Sequence, residues 1–396
     1  MIYNFDEPID RSNNFSAKYD EAPKKFGRSG LIPMWIADMD LKTAQPILDA
    51  IDKRNKQGIY GYTTRPASYY EAVCQWQKEH NGYEFDPAMA SFALGVIPAI
   101  CTLIREFTNP GDEVMFLTPV YSEFRDSVEN WGRTPLMVSL KETDGYYEID
   151  YNALEEAAKR NPGFLIMCNP HNPVGRAWTP EELKKVGDIC VKYHIPIISD
   201  EIHSDLMLYG HKHTVMAGGS DEIRDITIPC TSATKTFNLA GLQAATIFFP
   251  NQEMKAKYEK FWFSMDVHRN NCFSLVAVEA AFRYGGEWLE QLLAYLEGNI
   301  NYVDEFLKEH IPEIHFRKPE CTYLLWLNCK DLGLPGDELP RFMVEEAGIA
   351  MNDGRGFGEE GEGYMRMNIA CPRATIEKAL NQLKQAVDRR MGRSQD

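Results

Sequence analysis

At 396 residues the chain exceeds one ordinary hydrophobic core and implies two domains. Its composition, 44% hydrophobic and 25% charged with no low-complexity tract, is that of a globular protein, and a net charge of −16 argues against nucleic acid or an anionic membrane as the main partner. No apolar run is long enough to span a bilayer, the start Met1-Ile-Tyr-Asn-Phe-Asp-Glu7 lacks the zones of a signal peptide, and nine scattered cysteines without a CxxC pair read as reduced thiols, so a cytoplasmic protein is expected.

Residues 1–30 are polar and irregular, and read as an arm or surface segment. A helix is predicted over 43–57, followed by a Gly/Tyr-rich loop over 58–65. From about residue 90, strands alternate with helices, the mark of an α/β layer fold. Strands are predicted at 91–94, 113–117, 135–140, 164–168, 195–199, 226–230 and 244–249. Helices are predicted at 95–107, with Pro98 suited to a first turn, at 150–160, and from Thr179, where Glu182 completes a capping box. Short continuous apolar runs are how strands buried on both faces of a mostly parallel sheet read. The expected fold is therefore α/β, with a seven-stranded, mostly parallel sheet flanked by helices. After about residue 285 the pattern changes to a helix over 288–309, a strand at 323–327, a helix over 337–347, a Gly/Glu-rich loop at 353–363, a strand at 364–369 and a closing helix from 374. That reads as a smaller α+β domain. The expected division is 1–48 as arm and part of the small domain, 49–285 as the large domain, and 286–396 as the rest of the small one.

The chemistry centres on Thr231-Ser-Ala-Thr-Lys-Thr-Phe-Asn238. A lone loop lysine is ordinarily a solvated charge. A lysine at the end of a buried strand, among small hydroxylated residues, can instead be desolvated enough for its amine to form a Schiff base. Pyridoxal phosphate makes five demands on a protein: an amine for the aldehyde, a carboxylate opposite the pyridine nitrogen, an anion site for the phosphate, a stacking aromatic, and a cation for the substrate carboxylate. Lys235, Asp200, the turn Gly95-Val-Ile-Pro98 at a helix start, Tyr121 and Arg366 can meet them in that order, and Asn172 can donate to the ring's phenolic oxygen. Singly, each has a plainer explanation: a helix cap, a turn, a packed ring, a structural ion pair. Together, at successive strand ends, packing alone does not explain them. Ligands of open α/β sheets bind beyond the carboxyl ends of the strands. The pair in His211-Lys-His213 reads as solvated loop residues rather than metal ligands, and no metal site is expected. The glycines of 354–363 follow no strand-to-helix turn, and there is no Walker A or GxSxG motif.

Asn169-Pro-His-Asn-Pro-Val-Gly175, Ser199-Asp-Glu-Ile-His203, Ser232-Ala-Thr-Lys-Thr-Phe-Asn238 and Arg366-Met-Asn-Ile-Ala-Cys-Pro-Arg373 resemble the fold-type I, class I/II aminotransferase superfamily. Trp35-Ile-Ala-Asp-Met-Asp40, Tyr60-Gly-Tyr-Thr63 and Gly95-Val-Ile-Pro-Ala99 are similar to its MalY/PatB-type C–S lyases, commonly called cystathionine β-lyases. The resemblance covers nearly the whole chain, and its motifs are more specific for the cofactor than for the reaction. It implies a PLP-dependent homodimer with active sites at the interface, and a place in methionine biosynthesis. It implies Lys235 as the catalytic, cofactor-bearing lysine, Asp200 as partner of the pyridinium, Asn172 on the ring oxygen and Tyr121 stacked on the ring. The Val96 and Ile97 amides with Ser232 would hold the phosphate, Tyr62 would reach the phosphate of the neighbouring subunit, and Arg366 would bind the substrate carboxylate, beside Tyr121 and Asn172. Gln243 stands where many aminotransferases have a phosphate-binding arginine, and His203, at the cofactor, where many have a tyrosine; both departures lean towards a lyase. The implied activity is β-elimination on L-cystathionine or related cysteine S-conjugates. The alternatives are an aminotransferase using the same residues and, from another class, a regulatory binding protein on the same fold.

Overall fold

The computed structural model describes residues 3–393, so Met1 and Ile2 of the N-terminal stretch lie outside the described residues. A seven-stranded sheet carries the architecture. Its strands are β1 (Ala90–Ala93), β2 (Glu113–Thr118), β3 (Thr134–Ser139), β4 (Phe164–Cys168), β5 (Ile197–Asp200), β6 (Thr227–Thr231) and β7 (Ala245–Phe248), in spatial order β1-β7-β6-β5-β4-β2-β3. Only β7 runs against the direction of the other six strands. Every residue of β4, β5, β6 and β7 is buried, as strands covered by helices on both faces are. Phe116, Ile166, Ile198 and Ile228 stand in register across four strands and pack on helices Val96–Phe107 and Gln252–Ser264. Their neighbours Met115, Leu165 and Ile197 point the other way, onto helices Tyr151–Ala158 and Pro180–Lys192. Each such side chain contributes about 1.5–3 kcal/mol of burial.

A second, antiparallel sheet pairs Leu324–Asn328 with Tyr364–Asn368, which in turn pairs with Asn352–Asp353. The early strand Ile32–Pro33 pairs in parallel with Ile349–Ala350, tying the N-terminal region to the last third of the chain. A third apolar core joins these strands to helices Gln45–Asn55, Ala67–Asn81, Cys272–Tyr284, Gly286–His310 and Arg373–Met391.

The first 30 residues are more ordered than their polarity suggests. They hold two short helices, Ala17–Asp20 and Ala22–Phe26, and a lysine, Lys18, that is 1% exposed. The reason is electrostatic: Arg11 and Lys18 pair with Asp38 and Asp40, contacts spanning 20 or more residues. Helices Ala67–Asn81, Gln252–Ser264 and Cys272–Tyr284 were not anticipated either. Two of them carried a legible capping signal, because Asn251 accepts from the Met254 amide and Asn271 from those of Phe273 and Ser274. The capping box at Thr179 and Glu182 is present as read.

Candidate active site

The carboxyl ends of β1, β2, β4, β5 and β6 open into one cavity, lined among others by Gly95, Val96, Ile97, Tyr121, Asn172, Asp200, His203 and Lys235. Each strand stops because the apolar run stops, and the next residues are those with chemistry. After β1, Gly95 caps helix Val96–Phe107; a Cβ there would come within 3.3 Å of Pro98 Cδ. The Val96 and Ile97 amides head that helix without intrahelical partners, Pro98 has no N–H, and the Ala99 amide is the first to turn back, to the Gly95 carbonyl at 3.2 Å. Such a terminus favours an anion. After β4, Gly175 closes the loop carrying Asn172; its φ of +71° and a Pro319 Cβ only 2.5 Å from any added Cβ require glycine.

Asp200 ends β5 with a buried carboxylate. Its hydrogen bond among the described residues comes from the Ile202 amide at 3.1 Å. Burial pushes its carboxyl up to about 7, opposed by that amide and by the Lys235 charge. Behind it, Glu201 is fully buried and accepts from Ser199 Oγ at 2.8 Å and the Met216 amide at 3.0 Å, with His213 Nε2 at 3.0 Å. His213 is thus an internal partner of that carboxylate, not the solvated loop residue its sequence context suggests. The missed signal was Glu201 itself, a charge directly after a buried strand. His203 is buried, stands edge-on to Tyr323 with ring centres 6.3 Å apart, and has an unpartnered Nδ1. Burial, then the charges of Lys235 and Arg366, pushes its imidazole down to about 3, so it is neutral.

Lys235 follows β6 in the short helix Ala233–Thr236. Its Nζ donates to the Ala37 carbonyl at 2.6 Å. Burial and the Arg366 guanidinium pull the amine down to about 8, while Asp38 and Asp200 push the other way. Tyr121 lies against the cavity with its hydroxyl pushed up to about 12, chiefly by burial.

Arg366 arrives from the second sheet. Its guanidinium is buried and donates to Asn172 Oδ1 at 3.2 Å, the Trp35 carbonyl at 2.9 Å and Asn352 Oδ1 at 2.9 Å, and lies 4.8 Å from the Phe357 ring centre. Nε has no partner, and among the described residues no carboxylate pairs with it. Burial pulls it down to about 10. A buried cation without an acid is a standing anion site.

Two expected residues stand apart. Tyr62 is 94% exposed in the loop after helix Gln45–Asn55, under the Arg269 guanidinium at 5.2 Å, and does not reach this cavity. Ser232 is buried beside it, its hydroxyl engaged with the Ala244 carbonyl at 2.6 Å and with Thr234 Oγ1 at 2.7 Å. Gln243 is exposed, with a φ of +53°. Sequence reasoning did not single out Ala37, Tyr323, Asn352 or Phe357, whose contacts are non-local and leave no pattern in the sequence.

The family model described as aminotransferase class I and II matches residues 34–383. The chain is 40% identical over 390 residues to "Cystathionine beta-lyase PatB" of Bacillus subtilis strain 168, spanning 97% of this chain and all of that protein. It is 30% identical to "Protein MalY" of Escherichia coli strain K12, spanning 98% and 99% of the two chains. It superposes with a TM-score of 0.95 on the crystal structure of cystalysin from Treponema denticola, which contains a pyridoxal 5'-phosphate cofactor; identity is 33%, over 98% of this chain and 100% of that one. With its sheet, its strand-end cavity and these relatives, the chain belongs to the aminotransferase class I and II family.

Proposed function

We propose that the protein is a pyridoxal phosphate-dependent carbon–sulfur lyase that splits L-cystathionine or related S-substituted cysteines into a thiol (homocysteine from cystathionine), pyruvate and ammonia. The observation that carries the reading is Arg366, a buried guanidinium with neutral partners, set beside a desolvated lysine and a desolvated carboxylate. The relatives named as cystathionine β-lyases support the choice of reaction.

The residues fit the cofactor through what they lack. Asp200 is a buried carboxylate short of a cationic partner, which a protonated pyridine nitrogen provides. The Val96 and Ile97 amides, with Ser232 nearby, would hold the phosphate; Asn172 would bond the ring oxygen, with His203 beside it, and Tyr121 would cover the ring face. Lys235 would hold the aldehyde carbon. When bound, pyridoxal phosphate supplies an aldehyde that captures the substrate amino group and a cationic ring that draws electron density from Cα. Arg366 takes the α-carboxylate in its fork. The Lys235 amine, pulled down to about 8, is a base near neutral pH and accepts the Cα proton. The Cβ–S bond breaks with its electron pair leaving on sulfur. Water then converts the three-carbon remainder to pyruvate and ammonia.

The reading extends to a homodimer. Exposed Ile59, Tyr60 and Tyr62 lie in the loop that the resemblance assigns to the neighbouring subunit's phosphate, and Tyr60 packs on Phe273. It also takes residues 49–285 as the cofactor domain and 1–48 with 286–396 as the small domain, which the pairing of Ile32 with Ile349 supports. Nine free cysteines favour a cytoplasmic setting, and the product thiol suits methionine biosynthesis. Among the described residues no helix is long and apolar enough to cross a membrane. Purified protein given cystathionine and no keto acid is expected to release pyruvate and ammonia in equal amounts over many turnovers, and Lys235→Ala to release none. Activity that depends strictly on a keto-acid acceptor would replace the lyase with an aminotransferase.

A further inference from the structure

The Ala37 carbonyl that receives the Lys235 amine has a second donor. The Tyr323 hydroxyl reaches the same oxygen at 3.0 Å. Tyr323 is fully buried, and burial holds its proton well above the ordinary phenol range, so it stays a neutral donor. The peptides around Ala37 are gripped by one side chain: Asn368 Nδ2 donates to the Ile36 and Asp38 carbonyls, both at 2.6 Å, and Asn368 Oδ1 accepts from the Ala370 amide at 2.8 Å. Further along, Arg11 and Lys18 hold Asp38 and Asp40. The segment beneath Lys235 is therefore clamped from three parts of the chain.

We propose that Tyr323 is a positioning residue for Lys235: by sharing the Ala37 oxygen, which Asn368 aims at the lysine amine, it limits how firmly the ammonium form is held. The inference rests on Lys235 being the base of the proposed reaction. A carbonyl oxygen has two lone pairs, and a donor on one weakens what the other offers a cation. Of the charged groups facing Lys235, Arg366 disfavours the ammonium and Asp38 and Asp200 favour it, while His203 is neutral. Among the described residues Tyr323 alone acts on the lysine's acceptor without carrying charge, so removing its hydroxyl leaves that balance intact.

Tyr323→Phe keeps the ring beside His203 and removes only the hydroxyl. Lys235 can be titrated in the full-length, cofactor-free protein by labelling with acetic anhydride across pH, read on the Lys235 peptide by mass spectrometry. The midpoint is expected to rise by about half a pH unit, the effect of one neutral hydrogen bond. In the cofactor-loaded enzyme kcat on cystathionine is then expected to fall about threefold on the acid side and to rejoin wild type above about pH 9, with KM within about twofold because Arg366 is untouched. Asn368→Ser, which releases the flanking carbonyls, is expected to move the same midpoint downwards, because an unaimed carbonyl holds the ammonium less well. An unmoved midpoint in both variants overturns the proposal. So does a kcat lowered equally at every pH together with a lowered Tm, which marks a structural role. If wild type proves not to be a lyase, the proposed reaction fails, while the labelling midpoint still decides the positioning role.

Discussion

Replacing Arg366 by glutamine separates what the guanidinium does for a substrate from what it does for the fold. Its partners here, Asn172, the Trp35 carbonyl and Asn352, are all neutral. A carboxylate taken in its fork makes two charge-assisted hydrogen bonds, each about 1.5–3 kcal/mol. Losing both, less what a neutral amide restores, removes about 3–4 kcal/mol, or about 10²–10³-fold in kcat/KM. Stability follows a different rule. Among the described residues the cation is buried without an acid, so desolvation opposes its burial and no ion pair is lost with it. Glutamine can still meet one of the three acceptors, and the unfolding free energy is expected to stay within about 1 kcal/mol of wild type. The assay follows pyruvate from cystathionine in parallel with urea unfolding of the same preparation. An S-substituted cysteamine, which has no carboxylate, serves as control: wild type and variant should process it equally poorly. A variant within about tenfold of wild type on cystathionine, or one destabilised by about 3 kcal/mol or more, would show that Arg366 is a structural cation and refute the assignment.

Two further outcomes follow from buried charge. The Asp200 carboxyl sits at about 7 in the folded chain against an ordinary 3.8, so its contribution to stability is full below pH 3.8 and is lost as pH rises through 7. Asp200→Asn is therefore expected to raise the Tm of the cofactor-free protein at about pH 8 and to leave it nearly unchanged at about pH 4; an equal shift at both would show that Asp200 is ionised throughout. Lys18→Met removes one of the two cations on Asp40, which Lys18 Nζ meets at 3.0 Å in the interior, and is expected to lose about 3 kcal/mol in urea unfolding. A loss below about 1 kcal/mol would show that Arg11, 2.6 Å from the same carboxylate, suffices alone.

Much of the large sheet was legible because its strands are local facts. Phe164–Cys168 is a run of apolar residues that is buried on both faces wherever it sits, and its boundaries follow from where the run ends. The same holds for the residues just past the strands, since a parallel sheet delivers Asp200, Lys235 and Asn172 to one edge by topology alone. Helix Ala67–Asn81 was legible too, since Tyr69, Ala72, Val73 and Trp76 fall at helical spacing on its buried side, but the Gly/Tyr-rich loop before it masks its start. His213 was misjudged because its partner, Glu201, is twelve residues away.

By itself the sequence determined the layer order, the strand-end chemistry and, through its motifs, the family. Tertiary structure decided which groups are desolvated and which are left unpaired. That Arg366 and Asp200 have no ion-pair partner among the described residues, and that Lys235 shares the Ala37 oxygen with Tyr323, are consequences of contacts 198 and 286 residues apart and of burial from every side. Periodicity encodes which face of an element is apolar. It carries no record of which distant groups bury or face a given charge, and it is that burial, with the Arg366 charge beside it, which pulls the Lys235 amine down to about 8 and leaves a guanidinium waiting for a carboxylate.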